Sequence, residues 1–114
     1  MEPWFFFGVR EMSMYEGQTI QIPLLKEGKG SGDVWVVTSS GTGIAGASET
    51  DYVPIKRLME FAKNESCKWI DVTALTDNKI EPSEIFRLQL LPTAQCSIGM
   101  PNIVVVTIKN AVNR

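Results

Sequence analysis

Histidine is absent from this chain of 114 residues, and cysteine occurs only twice. The lack of an imidazole removes the commonest general base and the commonest ligand for transition metals, and it leaves a serine or cysteine nucleophile without its usual partner. A glycine-rich segment at residues 28–32 lacks the spacing of a phosphate-binding loop and precedes no predicted helix. We therefore expect a protein that is not an enzyme. A hydrolase with paired carboxylates is the remaining catalytic alternative.

Basic residues and long apolar segments are also scarce. The 11 lysines and arginines are outnumbered by 13 acidic residues, which gives a net charge of −2, and no basic stripe is present for a nucleic acid to bind. No apolar run approaches the roughly 20 residues that a transmembrane helix needs. The short aromatic cluster at Trp4–Phe7 has neither the basic flank nor the cleavage site of a secretory leader. We expect no nucleic-acid partner and no direct membrane insertion.

The composition is that of one soluble globular domain. Hydrophobic residues make up 44% and charged residues 21% of the chain, a balance unlike that of a disordered segment. A length of 114 residues suits one domain with its own core. We interpret residues 1–114 as a single domain excised from a longer, multidomain chain.

Apolar residues alternate with polar ones along most of the sequence. Ile20, Ile22 and Leu24 are separated by polar residues or proline, and the same period of two recurs at residues 70–74, 86–90 and 104–108. This period predicts half-buried β-strands. About seven short strands, separated by turn-forming segments, predict an all-β, immunoglobulin-like sandwich of two antiparallel sheets. Pro23 lacks a backbone donor, which indicates that its strand lies at an edge or is bulged.

The alternation of strand direction also predicts where the acidic residues lie. If successive strands run up and down, the loops at residues 16–17, 39–54 and 77–83 meet at one end of the sandwich, together with the end of the last strand. The acids in and beside these loops are Glu16, Glu49, Asp51, Asp77, Glu81 and Glu84. Carboxylates gathered without basic partners repel one another unless a hard cation lies between them. Calcium suits such oxygen ligands; the alternative is a set of unrelated, solvated surface acids.

Four segments of the sequence resemble successive blocks of a Calx-beta domain. They are MYEGQTIQIPLL, GTGIAGASETDYVP, MEFAKNESCKWIDVTALTD and DNKIEPSEIFRLQLL. The more specific features are the pair Asp51-Tyr52 and the pattern Glu81-x-x-Glu84-x-Phe86, which occur in the family's order. The resemblance covers nearly the whole chain and implies the same sandwich fold.

The resemblance also implies a calcium site in which five residues match the family's ligands. They are Glu16, Asp51, Asp77, Glu81 and Glu84. The chain departs from the calcium-binding members where those have consecutive aspartates, because it has Thr76 and Asn78, and where those have an acidic run after the last strand, because it has Lys-Asn-Ala at residues 109–111. Fewer ligand charges weaken calcium binding. We expect one or two weak Ca²⁺ sites, or none.

Three further residues bear on the cellular compartment. Cys67 and Cys96 are predicted at the end opposite the acids, so a disulfide between them is geometrically conceivable. Two unpaired thiols are the alternative that we favour, since two cysteines do not make a disulfide framework. Asn64 opens an Asn-Glu-Ser acceptor sequence for N-glycosylation in a predicted loop, which indicates an extracellular location.

The resemblance implies two kinds of function. Calx-beta domains occur in tandem in large adhesion and matrix proteins. There, this domain would be a structural or adhesion module at the cell surface, with weak Ca²⁺ binding that stiffens its junction to the next domain. Its partners would be neighbouring domains of the same chain and other cell-surface or matrix proteins. The alternatives are a cytoplasmic Ca²⁺-sensing domain, like the regulatory domain of the sodium/calcium exchanger, and a metal-free interaction module.

Overall fold

The computed structural model describes residues 3–40, 51–76 and 83–109. Within these ranges the chain forms nine β-strands and no helix, so the described residues contain no helix that could span a membrane. The strands are β1 (Trp4–Phe7), β2 (Glu11–Tyr15), β3 (Thr19–Glu27), β4 (Gly32–Ser40), β5 (Lys56–Phe61), β6 (Cys67–Thr73), β7 (Glu84–Leu91), β8 (Ser97–Ile98) and β9 (Ile103–Lys109).

The strands form two sheets that pack as a sandwich, as the sequence predicts. One sheet has the order β6-β3-β1-β8, and the other has the order β2-β9-β7-β4-β5. The described residues form nine strands where about seven were expected, because residues 4–15 form two strands in different sheets and β8 is a short strand of two residues. The sheets are also not wholly antiparallel, since β1 pairs with β8 and β2 pairs with β9 in parallel.

The parallel pairs arise because the chain changes sheet between β1 and β2. The change occurs at residues 8–10, where Gly8 passes close to β3: a Cβ at this position would lie 2.8 Å from Cγ of Pro23. The amide of Gly8 donates to the carbonyl of Pro23 at 2.9 Å. After the change, β2 runs along the edge of the second sheet in the same direction as β9.

The strand that contains Pro23 is internal, and its pairing with β6 continues without a break through Pro23 and Trp69, so the prediction of an edge or bulged strand was wrong. β3 lies between β6 and β1. Because the carbonyl of Pro23 accepts from Gly8 on the β1 side, its nitrogen faces that side too. β1 ends one residue earlier, at Phe7 opposite Leu24. The backbone N–H that proline lacks would point past the end of β1, where the ladder between β1 and β3 needs no donor.

The core lies between the two inner faces and follows the predicted alternation. Its fully buried residues include Phe5, Phe7, Ile22, Leu24, Val34, Val36, Ile70, Val72, Phe86, Leu88, Leu90, Val104 and Val106. Full burial of one such side chain stabilises the fold by about 1.5–3 kcal/mol before entropy is subtracted. One aromatic pair lies at each end of the core. Phe5 packs on Phe61 with 5.1 Å between the ring centroids, and Tyr52 packs on Phe86 with 4.1 Å between them.

A buried lysine closes one end of the core. Lys26 is 6% exposed and is the one charged side chain that is buried among the described residues. Its ammonium donates to the carbonyls of Gly30 at 2.6 Å, Ala62 at 2.9 Å and Lys63 at 3.2 Å. An ammonium has three protons to donate, and here each one has an acceptor. Lys26 thereby joins the β3–β4 loop to the β5–β6 turn.

The β5–β6 turn is also closed by Glu65. Its carboxylate accepts from the amide of Ala62 at 2.7 Å and lies 3.7 Å from the ammonium of Lys68. The hydrogen bond from Ala62 is the main reason why the pKa of Glu65 lies below its ordinary value of 4.5, and the charge of Lys68 contributes in the same direction. This end of the sandwich is therefore held by polar contacts within and between its loops.

Candidate functional site

Four chain segments meet at the other end of the sandwich, and backbone hydrogen bonds join them. They are the β2–β3 turn at residues 16–18, the approach to β5 at residues 51–53, the exit from β6 at residues 74–76, and the end of β9. Ala74 lies at their centre: its carbonyl accepts from Gly17 at 3.0 Å and its amide donates to Gln18 at 3.0 Å. We call this region, with Glu16, Asp51 and Glu84, the acidic end.

Glu16 follows directly after β2, and its backbone is tied to the last strand. Its amide donates to the carbonyl of Lys109, the final residue of β9, at 3.1 Å. The side chain is half-buried, and its Oε1 is shielded from solvent. The backbone contact with Lys109 places Glu16 at the point where β9 ends.

Asp51 is brought to the acidic end by its backbone. Its carbonyl accepts from the amide of Leu75 at 2.8 Å, and the next residue, Tyr52, forms an isolated antiparallel bridge with Ala74. The amide of Val53 donates to the carbonyl of Thr73 at 3.0 Å. These contacts continue the β6 ladder by one more chain segment. They place Asp51 beside the residues that lead into the loop after β6.

Glu84 begins β7 and shares the inner face of the sheet with Phe86, because side chains alternate along a strand. It is half-buried and lies opposite Ile108 of β9, which in turn lies beside Met14 of β2. Glu16 follows Met14 by two residues, so both glutamates project from strand ends where the apolar core stops. The strands that carry them, β2 and β7, lie on opposite sides of β9.

The structure describes three of the six acids that the sequence predicts at one end of the sandwich. Glu16, Asp51 and Glu84 lie at one end together with the end of β9. The predicted residues Glu49, Asp77 and Glu81 lie outside the described residues. Within the described ranges, no three acids, cysteines or histidines are close enough to hold a metal ion. The oxygen donors fit a hard cation, but the described acids alone do not complete a site.

Lys109 is the main chemical feature that opposes a cation at this end. It is exposed at the last position of β9, next to Tyr15 of β2 in the ladder. Its carbonyl accepts from the amide of Glu16, and its side chain brings a positive charge to this end of the sandwich. By Coulomb's law, a charge of the same sign weakens the attraction of the site for a cation.

Gly17 is a constraint at the acidic end that the sequence marks only as a turn. Its φ is +82°, and a Cβ at this position would lie 2.7 Å from Oγ1 of Thr76, the residue before Asp77. Only glycine adopts this backbone conformation freely. The β2–β3 turn therefore packs directly on the start of the loop that carries the two acids outside the described residues.

Replacing Gly17 by alanine is expected to lower the free energy of unfolding by about 2 kcal/mol, from the strained φ and the contact with Thr76. Gly30→Ala is the matched control, because Gly30 has a φ of +96° and nothing lies within 4 Å of the position that its new methyl group would take. It should cost about 1 kcal/mol. Urea unfolding measures both values. Equal costs would show that Thr76 moves aside freely and that the turn does not constrain the loop.

The disulfide left open by the sequence is not formed. Cys67 starts β6 and is exposed, whereas Cys96 precedes β8 and is half-buried, and both thiols are free. β6 and β8 are the two outer strands of the same sheet, with β3 and β1 between them. Strands lie about 4.8 Å apart, so three such spacings place the cysteines far beyond the reach of a disulfide.

Asn64 lies where the sequence predicts, in the turn between β5 and β6, and its side chain is exposed. Glu65 and Ser66, which complete the acceptor sequence, belong to the turn that Ala62 and Lys26 hold by hydrogen bonds. The acceptor side chain is thus accessible to a modifying enzyme. The occupancy of the site by a glycan stays a prediction.

Comparison with known folds agrees with this architecture. The solved structure of the apo form of the Calx CBD1 domain is similar, with a TM-score of 0.84 and 19% identity over 96% of this chain and 98% of that one. The calcium binding domain CBD12 of CALX1.1 gives a TM-score of 0.81 and 22% identity over 93% of this chain, which spans 44% of that one. The Calx CBD2 domain gives 0.78 and 18% over 94% and 86% of the two chains.

At these identities the solved structures show the fold alone, and the comparison with curated proteins gives no significant match. The family follows instead from the match of residues 2–112 to the family model of the Calx-beta domain. That match covers nearly the whole sequence and includes every described strand. The chain therefore belongs to the Calx-beta domain family, whose members are non-catalytic modules.

Proposed function

We propose that this domain is a structural module of a larger extracellular or cell-surface protein, and that it binds Ca²⁺ weakly at its acidic end. The observation that carries the proposal is the hydrogen bond between the amide of Glu16 and the carbonyl of Lys109. It makes the last residue of β9 part of the acidic end. A cation held there would restrain any chain that continues beyond β9, and so would stiffen the junction with a following domain.

The residues that would hold the ion come from four segments. Glu16, Asp51 and Glu84 lie at the acidic end, and Asp77 and Glu81 belong to the loop between β6 and β7. When bound, Ca²⁺ would neutralise carboxylates that otherwise repel one another. A solved structure with the same fold is described as a calcium binding domain, which supports this choice of cation.

The proposed affinity is low because the site has few charges. Thr76 and Asn78 flank Asp77 with neutral side chains, and Lys109 adds a positive charge. Calcium binds more weakly when its ligands carry fewer charges or are less rigid. A weak site suits the extracellular space, where calcium modules have dissociation constants of about 10⁻⁴–10⁻³ M.

The exposed acceptor residue Asn64 supports the extracellular location. In this setting the partners of the domain are its neighbours in the same chain, and other cell-surface or matrix proteins. An N-glycan at Asn64 would stand at the end opposite the acids, where it would not obstruct the calcium site.

A second candidate function is that of a cytoplasmic Ca²⁺ sensor. The observation that favours it is the exposed free thiol of Cys67, because free thiols persist in reducing compartments. A sensor requires a dissociation constant of about 10⁻⁷–10⁻⁵ M. The affinity of the site therefore distinguishes the two candidates.

Calcium is expected to raise the thermal stability of the domain. If free Ca²⁺ is ten times the dissociation constant, binding to the folded state adds about 1.4 kcal/mol to the free energy of unfolding. Glu84→Gln should reduce this gain, whereas Glu60→Gln, on an exposed residue of β5, should not. Thermal unfolding in Ca²⁺, Mg²⁺ and chelator at equal ionic strength measures the effect. Identical melting in all three would contradict the proposal.

A further inference from the structure

We propose that Tyr52 is a positioning residue that joins the two sheets at the acidic end and sets the place of Asp51. The expected effect of Tyr52 on calcium binding rests on the proposed function, whereas its effect on the position of residues 51–53 does not. Tyr52 is 1% exposed and is among the largest fully buried side chains of the domain, although it belongs to none of the nine strands.

The backbone around Tyr52 is attached to the four-stranded sheet. Tyr52 forms a bridge with Ala74, just beyond the end of β6. On either side of it, the carbonyl of Asp51 accepts from Leu75 at 2.8 Å, and the amide of Val53 donates to Thr73 at 3.0 Å. The segment at residues 51–53 thus extends the first sheet at its edge.

The side chain of Tyr52 is attached to the five-stranded sheet. Its ring stacks on Phe86 of β7, with 4.1 Å between the centroids and 7° between the ring planes. Its hydroxyl lies 3.1 Å from Oγ of Ser40, the last residue of β4. Aromatic pairs of this kind contribute beyond the burial of their area, and the hydroxyl pair satisfies a polar group that is otherwise buried.

One residue therefore links both layers next to two of the proposed ligands. Asp51 precedes Tyr52 directly, and Glu84 lies two residues before Phe86 on the same face of β7. The stack fixes the distance between the segment that carries Asp51 and the strand that carries Glu84. Loss of the ring would release the 51–53 segment from the five-stranded sheet, while the five-stranded sheet itself would stay folded.

Amide hydrogen exchange of calcium-free protein tests the inference directly. The reporters are the amides of Leu75 and Val53, and the reference is the amide of Leu90, which donates to Asn102 at the other end of the domain at 3.0 Å. In Tyr52→Leu, exchange at the two reporters should rise at least about tenfold relative to Leu90, because the segment opens locally. Tyr52→Phe keeps the stack and should stay within about threefold of the wild-type ratio.

The matched control is Phe61→Leu, which removes an equally buried aromatic ring at the opposite end of the core. It should destabilise the domain without raising exchange at Leu75 and Val53 relative to Leu90. If Tyr52→Leu does not fold, Phe86→Leu removes the same stack from the other partner and should raise exchange at the same two amides. Unchanged ratios in the folded variants of Tyr52 and Phe86, or the same rise in Phe61→Leu, would overturn the inference.

Calorimetric titration of the same variants with calcium chloride separates this inference from the proposed function. Tyr52→Leu should bind Ca²⁺ about tenfold more weakly than the wild type, since a ligand that is no longer preorganised must be ordered on binding, and Phe61→Leu should bind normally. Normal binding by Tyr52→Leu would overturn the role of Tyr52 in the site. If the wild-type protein gives no heat, the proposed function fails, and the exchange data alone decide whether Tyr52 positions the segment.

Discussion

Replacing Lys26 by methionine is expected to lower the free energy of unfolding by about 3 kcal/mol. Methionine retains the length and the apolar stem of the side chain, so the loss comes from the ammonium group. Lys26 is 6% exposed and donates to three backbone carbonyls. When the donor is removed, each buried carbonyl that finds no water loses its hydrogen bond and remains desolvated, which costs about 1–3 kcal/mol per carbonyl.

The same substitution should loosen the end of the sandwich opposite the acids. Lys26 is bonded both to Gly30 in the β3–β4 loop and to Ala62 and Lys63 in the β5–β6 turn, and its amide donates to Ser66. The side chain therefore holds together two loops, each of which connects one sheet to the other. In Lys26→Met these loops are joined only by backbone and apolar contacts.

Urea unfolding measures the loss, and Lys29→Met is its matched control. Lys29 is an exposed lysine three residues further along the chain, in the β3–β4 loop, and its replacement should change stability by no more than about 0.5 kcal/mol. A loss below about 1 kcal/mol in Lys26→Met would mean that water replaces the ammonium at the carbonyls without difficulty. The interpretation of Lys26 as the closure of the core would then be wrong.

Replacing Phe86 by alanine is expected to be still more damaging, with a loss of about 4 kcal/mol. Phe86 is fully buried in β7, between β9 and β4, and it stacks on Tyr52. The cost has three parts: the free energy gained by burying the ring is lost, a cavity remains in the core, and the aromatic pair with Tyr52 is lost. The cavity lies where the two sheets are joined at the acidic end.

Ile85→Ala is the matched control for Phe86→Ala. Ile85 is the preceding residue on β7, faces outward and is half-buried, so its truncation should cost about 1 kcal/mol. Both values come from urea unfolding at constant pH. Equal losses in the two variants would contradict the assignment of inner and outer faces on β7, and with it the place of Glu84 on the inner face.

The period-two pattern of the sequence predicts the core well. It places Ile70, Val72 and Ala74 on one face of the chain along β6 and just beyond its end, and the structure buries all three, whereas Trp69, which alternates with them, is 58% exposed. The pattern works here because each strand has one face against the core and one against water. The prediction of a two-layer sandwich depends on the same rule and is confirmed.

Other features of the fold depend on contacts that no local pattern contains. The chain changes sheet at residues 8–10, and the parallel pairing of β2 with β9 joins residues that are more than 90 positions apart. Lys26 continues the inward positions of Ile22 and Leu24, yet a lysine at the end of a strand is ordinarily solvated. Its burial depends on carbonyls supplied by residues 62 and 63, which only the tertiary structure brings near.

The sequence predicts which end of the sandwich carries the acids more completely than it predicts how Asp51 is positioned. The structure places Glu16, Asp51 and Glu84 at the end that strand alternation indicates. It does not predict the role of Tyr52, because stacking on Phe86 and bridging to Ala74 involve two different sheets. The family motif indicates only that Tyr52 follows Asp51 in the sequence, and this adjacency alone does not predict which residues the tyrosine ring contacts.

The central claim is that the acidic end binds calcium, and calorimetric titration of chelator-treated protein with calcium chloride tests it most directly. The control variant is Glu11→Gln/Glu60→Gln, which removes two exposed glutamates away from the acidic end, and the test variant is Glu16→Gln/Glu84→Gln. We expect saturable heat, with a dissociation constant of about 10⁻⁴–10⁻³ M, in the wild type and in the control, and no such heat in the test variant or with magnesium chloride. Saturable heat of equal affinity in the test variant, or none in the wild type, would contradict the claim.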